Sequence, residues 1–402
     1  MDDVLITGLG ALSPLGSGVD AFWRGMGTAD TAPVKVPDPL ARMDRPLMYL
    51  VPEADLPDGP EELDGLPLGR GSQFALEAAR EAVRDAGLDG AGGVPDPRRM
   101  AVILGSGMGD TDLHERWWTG TDPDSARWAP VYPMASAVAS LTGAQGSATC
   151  VSNACSASGY ALSEGADLIR SGEADVVIAG GAEAYSRVAL ACFNRLGAID
   201  PERCRPFAAD RGGTLFGEGS AVLVLESAAH ARARGVRTVY GRLAGAGWSC
   251  DAHHPTAPEP GGAQIERAMR EALAQAGVSA ALGERGLGFV VPHGTGTDLN
   301  DVVESRILDA LAGGPDGRAP LYSLKALIGH TGGAAGAFAA LAAVLMLHHG
   351  TVPSNVPVGA LDPECPVRLP AGPTPVTEPY GLVNAYAFGG NNISLVFGEA
   401  GS

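Results

Sequence analysis

Three side chains in this chain of 402 residues have the type and setting for nucleophilic acyl chemistry. Cys155, in "VSNACSASGYALSEGADL", stands among small residues where a helical apolar pattern begins. A thiol at a helix start lies at the positive end of the helix dipole, beside unpaired N–H groups that favour thiolate and could hold an oxyanion. The stretch reads equally well as core filler, because free cysteine is among the most buried residue types. His293, in "VVPHGTGTDLNDVVE", closes an apolar strand and emerges into a Gly-Thr-Gly-Thr turn. His330, in "SLKALIGHTGGAAGAF", sits at a glycine-rich turn that opens an apolar helix. One histidine in such a place is commonly structural. A cysteine and two histidines, each at an element junction, form the set that acyl transfer through a thioester needs.

The elements around them alternate. "VLITGLG", "MAVILGSG", "DVVIAGGAE" and "AVLVLE" read as strands, while "SQFALEAAREAVRDAG" and "CSASGYALSEGADLIRSG" carry helical periodicity. The alternation resumes after Glu226 with "TVYGRLAGAGWS", "GAQIERAMREALAQAG", "LGFVVPHGTG" and "FAALAAVLMLHHG". This predicts a layered α/β protein with central sheets, in two halves that meet near residue 235. Residues 1–235 would carry the nucleophile and residues 236–402 the two histidines. No repeat joins the halves by eye. The proline-rich run 37–67 is expected to be a surface excursion, and the apolar run 334–347, too short and alanine-rich for a membrane span, to be a buried core helix.

Composition narrows the classes. A net charge of −18 repels nucleic acid and anionic membrane alike, so neither is an expected partner. An acidic partner must find local arginines, which gather in "RCRPFAADRGG" and stand alone at Arg70. "MDDVLITGLG" passes from acidic residues straight into a strand, so no secretory signal is expected there. Six irregularly spaced cysteines make neither a disulfide framework nor a CxxC metal pattern, which points to reduced thiols in the cytoplasm and no metal. "GLGALSPLG" puts Ser13 where a dinucleotide loop has its third glycine, so no nicotinamide cofactor is expected.

"NACSAS", "HGTGTDLNDVVE", "KALIGHTGGAAG" and "NAYAFGGNN" together resemble the signature segments of the β-ketoacyl-acyl carrier protein synthases, the elongating ketosynthases of fatty acid and polyketide assembly. "VLITGLGALSPLG", "CRPFAADRGGTLFGEGSAVLVLE" and "CDAHHPTAPEPGG" extend the resemblance, in order, over essentially the whole chain. It implies the α/β thiolase fold, five layers αβαβα from two similar halves, and an obligate dimer, either a homodimer or a heterodimer with a ketosynthase-like chain-length factor.

The resemblance also implies roles. Cys155 matches the nucleophile that takes the acyl chain from an acyl carrier protein. His293 and His330 match the pair that faces the malonyl thioester as carbon dioxide leaves. Phe388 matches the gating phenylalanine, and the N–H groups of Cys155 and Phe388 the oxyanion hole. Lys325 and Glu304 match a charged pair behind the histidines, and Thr295 and Thr297 the residues that bind the phosphopantetheine arm. Met108 and Phe193 match acyl-tunnel positions, and Arg70 and Arg205 carrier-docking positions. No cofactor is implied beyond the carrier's phosphopantetheine. The chain departs from the family's usual pattern at Val291, Pro292, Ala387 and Asn391, which touches pocket and gate and tilts the reading towards polyketide assembly. A chain-length-factor-like subunit is the alternative from a non-catalytic class, but such subunits lack the cysteine. A degradative thiolase needs a second reactive cysteine that Cys365 does not match, and an initiating synthase has Asn where His330 stands.

Overall fold

The computed structural model describes residues 3–401, apart from 60, 61, 64, 90–94, 125–129, 279–285 and 313–318. Its main sheet contains β1 (Val4–Ser13), β2 (Gly16–Ser17), β3 (Met100–Gly105), β4 (Ala148–Val151), β5 (Val176–Glu183), β6 (Gly219–Ser227), β7 (Gly241–Cys250), β8 (Leu287–Val291), β9 (Tyr380–Tyr386) and β10 (Asn391–Gly398). The order is β8-β9-β10-β7-β1-β6-β5-β3-β4, with β2 folded back on β1. Strands that precede residue 235 form one wing and those that follow form the other. Among the described residues, the strands of the two wings pair through Leu5 opposite Arg242 and Ile6 opposite Gly241.

Five layers result. α1 (Arg70–Asp85) covers the outer face of the first wing, on β1, β5 and β6, and α5 (Ala263–Ala276) covers β7 and β10 on the second. Between the wings lie α3 (Ala157–Arg170) and α7 (Ala335–His349), which touch each other and both wings of the sheet. The remaining helices that matter for the site are α2 (Thr111–Thr119), α4 (Arg187–Arg195) and α6 (Asp298–Ala312). Every residue of α7 from Ala335 to Leu347 is buried, so its apolar composition reflects a helix enclosed on all sides by protein.

One packing device recurs in both halves. A methyl group on Gly8 or Gly10 of β1 would collide with α1 at Ala82 or Ala78, and one on Gly245 or Gly247 of β7 with α5 at Ala272 or Ala268. "GLG" and "GAG" thus let each outer helix lie directly on its strand. The inner layer is equally close. Gly336 of α7 meets the backbone of Gly159 in α3, and the Ser158 hydroxyl accepts the Ala337 N–H at 2.9 Å.

The excursion 37–67 departs from expectation. It is not simply surface: Met48, Tyr49 and Val51 are buried, and the Tyr49 N–H donates to the Phe216 carbonyl at 2.8 Å. Apolar residues inside the proline-rich run take it down onto the segment around Phe216, so composition alone misplaced it.

Gly105, the last residue of β3, abuts the backbone of Ala157 and Ser158 where α3 begins. A Gly105→Ala protein must shift the start of that helix, and the expected loss is about 1–3 kcal/mol of unfolding free energy in urea titration. Gly27→Ala, in the helix Val19–Thr28 where a methyl group meets no atom within 4 Å, is the control, with no loss expected and a gain of up to about 1 kcal/mol from helix propensity.

Candidate active site

Cys155 lies in a 3₁₀ turn, Ala154–Ser156, that leads into α3, so the α-helix proper starts two residues after it. Ala154 has φ 55°, in the left-handed region that a residue with a side chain adopts at a cost. Gly333, which approaches the backbone of Ser106 and Gly107, brings the turn after His330 against the loop after β3, beside a cavity that Cys155 also lines. Cys155 remains partly accessible and borders two cavities. Burial pushes its thiol up to about 12, with Glu183 pushing the same way, while Lys325 and the cysteine's own N–H pull it down. The helix-start argument for a thiolate is therefore overturned: desolvation outweighs the favourable field, and the resting group is a thiol.

His293 follows β8, and its main chain is held from two sides. Its N–H and that of Gly294 each donate to Glu304 of α6 at 2.8 Å. The Lys325 ammonium, from the helical turn Leu324–Ile328, donates to the His293 carbonyl and lies 3.5 Å from Nδ1. An ammonium has no lone pair to offer, so Nδ1 is the accepting nitrogen and Nε2 carries the proton. Lys325 and Glu304, expected as a pair, form no direct ion pair; each grips His293 instead. Asn384 of β9 donates to Glu304 at 3.0 Å, its own carbonyl fixed by the Ser394 hydroxyl at 2.8 Å.

The His293 and His330 rings are 5.5 Å apart and perpendicular. Burial and the nearby Lys325 hold both imidazoles well below the usual histidine range, with His330 adding to the effect on His293. Both are neutral at physiological pH. Phe216 stacks against His330 at 6.0 Å, and the buried His330 Nδ1 has no hydrogen-bond partner among the described residues.

Cys155, His293 and His330 line one cavity together with Thr295, Thr297 and Phe388. The two threonine hydroxyls are 2.8 Å apart. The second cavity, on the other side of Cys155, contains Met108. Phe193 and Phe388 border both cavities, and their rings stack at 5.1 Å, nearly parallel. Phe388 occupies the turn after β9, and among the described residues its N–H has no acceptor.

Residues 1–231 match the family described as "Beta-ketoacyl synthase, N-terminal domain", and residues 240–358 the corresponding C-terminal domain. The chain belongs to the β-ketoacyl synthase family. It is similar to the putative polyketide beta-ketoacyl synthase 1 of Streptomyces halstedii, 36% identical over 389 residues that cover 90% of this chain and 89% of that one. It is also similar to the 3-oxoacyl-(acyl-carrier-protein) synthase 2 of Synechocystis sp., 30% identical over 412 residues that cover 98% and 97%. Among solved structures, the ishigamide ketosynthase/chain length factor superposes with a TM-score of 0.87 at 34% identity over 99% of both chains. The architecture is the thiolase fold.

The two arginines at the expected carrier-docking positions both have acidic partners within this chain. Arg70 is bidentate on the fully buried Glu218, at 2.6 and 3.2 Å, and stacks over Phe74. Arg205 is shared between the buried Asp200 at 3.0 Å and Asp210 at 2.7 Å. Both guanidiniums are thus engaged by acids of this chain, and Arg70 keeps 32% of its side chain exposed. Sequence reading also missed three groups. Glu183, at the end of β5, accepts from the N–H groups of Gly107, Met108 and Gly333 and from the Ser106 hydroxyl. Asp301 accepts from the N–H groups of Phe207, Thr295 and Gly296, and Asn384 holds Glu304. The available signal was a lone carboxylate in an otherwise apolar strand, "VVIAGGAE". Among the described residues, no three His, Cys, Asp or Glu side chains converge as metal ligands.

Because the thiol lies at about 12, alkylation of Cys155 by iodoacetamide should rise about tenfold per pH unit from about pH 7 to 9 without levelling. Lys325→Met removes the cation that draws the thiol down, so it should slow the reaction across that range. Peptide mass mapping separates Cys155 from the exposed Cys192 and Cys250. A plateau below pH 9 contradicts the assignment.

Proposed function

We propose that the protein joins an acyl chain held on Cys155 to malonyl-acyl carrier protein by decarboxylative Claisen condensation, releasing carbon dioxide and a β-ketoacyl-carrier protein. The observation that carries this reading is the convergence, in one cavity, of a thiol from residues 1–235 with two neutral imidazoles from residues 236–402. The relatives named for polyketide and for 3-oxoacyl-carrier synthesis support the reaction class.

The steps use groups already described. The Cys155 sulfur attacks the incoming thioester carbonyl, and the carrier's pantetheine thiol leaves with the proton. Malonyl thioester then enters past Thr295 and Thr297. Its bond to the carboxylate breaks, carbon dioxide departs, and the electron pair moves into an enolate whose oxygen faces the histidine pair. The Nε2–H of His293, fixed by Lys325 behind it, donates to that oxygen, with His330 beside it. The enolate carbon attacks the acyl-Cys155 carbonyl. The N–H groups of Cys155 and Phe388 hold the resulting oxyanion, which collapses to expel the sulfur as a thiolate, and that thiolate takes up one proton from solvent to restore the thiol. No cofactor enters, since the electrons of the new carbon–carbon bond come from the departing carboxylate. Glu304 and Lys325 are positioning residues, acting through His293.

The partners that fit are an acyl carrier protein and a second ketosynthase-like chain, a copy of this one or a chain-length factor, and the reduced thiol suits the cytoplasm. The solved relative that is itself a ketosynthase/chain length factor supports the latter pairing. The Cys155 thiol argues against this chain being the silent subunit.

Incubated with acyl-carrier and malonyl-carrier, the protein should gain the mass of one acyl group at Cys155 and then release a β-ketoacyl carrier. Cys155→Ala should carry no adduct. His293→Ala should acylate yet decarboxylate malonyl-carrier about 10²–10³-fold more slowly, the usual worth of a lost oxyanion donor. An adduct that persists in Cys155→Ala sinks the assignment.

A further inference from the structure

The chain between β7 and α5 supplies Asp251, Thr256, Ala257 and Pro258 to the lining of the cavity that holds the two catalytic histidines. One exposed side chain organises this segment. The His254 Nδ1 accepts the N–H of Thr256 at 3.1 Å and that of Ala257 at 3.2 Å, and the Thr256 hydroxyl lies 3.4 Å from it. Nδ1 is therefore the bare nitrogen, and Nε2 carries the proton. The segment in turn holds the turn after β9. The Gly389 N–H donates to the Pro255 carbonyl at 2.8 Å, and the Asp251 N–H to the Gly390 carbonyl at 2.9 Å. Ala252 has φ 49°, in the left-handed region, so the segment is kept in a conformation that costs energy.

A proton on Nδ1 turns this acceptor into a donor that faces two N–H groups, and both hydrogen bonds are lost. We propose that His254 is a positioning residue that latches this wall of the cavity through its neutral ring and releases it when the ring takes a proton. The latch is present above the ordinary imidazole range, near pH 6.5, and is lost as pH falls through it. Release frees Thr256 and Ala257 and loosens Pro255, which anchors the turn that carries Phe388. The titratable and charged groups on the surrounding elements are Asp251, His253 and Glu259 of the same segment, Cys250 of β7, Glu266 and Arg267 of α5, and Asp298 of α6; residues 387–391 have none. Asp251 accepts from the Asn392 amide at 2.6 Å, the N–H groups of Gly261 and Ala263 draw the Glu259 carboxyl below its usual range, and Glu266 and Arg267 are paired within α5. Burial puts Cys155 above the histidine range and both catalytic imidazoles below it, so an acid loss within that range comes from elsewhere.

Hydrogen exchange read by mass spectrometry on the peptide 251–260, at about pH 8 and about pH 5.5, tests the latch without substrate. Against peptides of α7 as the internal reference, its protection should fall about fivefold or more at the lower pH, the worth of two modest hydrogen bonds. His254→Asn, whose side-chain oxygen accepts the same N–H groups and does not titrate, should stay protected at both, and His254→Ala at neither. KM for malonyl-carrier should rise about threefold or more over the same fall in pH in the unaltered protein, and not in His254→Asn. Equal protection at the two pH values, or the same loss in His254→Asn, overturns the latch. Protection that changes while KM does not overturns its part in positioning substrate. The kinetic arm rests on the condensation proposed above: absence of an acyl adduct on Cys155 refutes that reading, while exchange still decides the latch.

Discussion

Backbone-to-backbone contact between the inner helices and their neighbours is the constraint on which this site depends. β3 ends against the start of α3 at Gly105, the turn after His330 reaches the loop after β3 at Gly333, and α3 meets α7 at Gly159 and Gly336. Each contact tolerates no side chain. The nucleophile and the histidines come from opposite halves of the chain, and only this closeness brings a thiol and two imidazoles to one cavity. Small residues therefore do positional work that no catalytic motif states.

The second constraint is electrostatic. Glu183, Asp301 and Glu304 are buried, and each is satisfied mainly by main-chain N–H groups of the loops that form the site. Burial raises all three carboxyls, and the N–H donors oppose that rise. A buried carboxylate without such donors would be untenable, and a loop whose N–H groups all converge on one carboxylate has a single conformation available. The carboxylates act as clamps on backbone, which is why Glu304 and Lys325 meet at His293 rather than at each other.

The strands and helices were legible in the sequence because apolar periodicity is local, and the enclosed α7 announced itself by lacking a polar face. Cys155, His293 and His330 were legible because each stands at a junction with glycine or small residues around it. The protonation state of Cys155 was not, since the field at a helix start is a local property while desolvation depends on everything packed around the sulfur. The ion pairs of Arg70 and Arg205 were not legible for the same reason: their partners Glu218 and Asp200 are buried acids whose need for a cation shows only in three dimensions. The run 37–67 was judged on its prolines, yet the apolar residues within it decided where it packs.

These constraints explain how a cavity hostile to charge suits the proposed cycle. Burial penalises a thiolate at Cys155 but neither the resting thiol nor the thioester, so the loaded enzyme carries no charge that the site must solvate. Neutral imidazoles can each offer an N–H without adding a positive charge that would hold the malonyl carboxylate in its ground state. The charge that leaves as carbon dioxide passes instead to an enolate oxygen facing those donors, the species the site is built to stabilise. The low polarity that keeps the resting thiol protonated is thus the property that accommodates its neutral acylated form and favours the loss of the carboxylate.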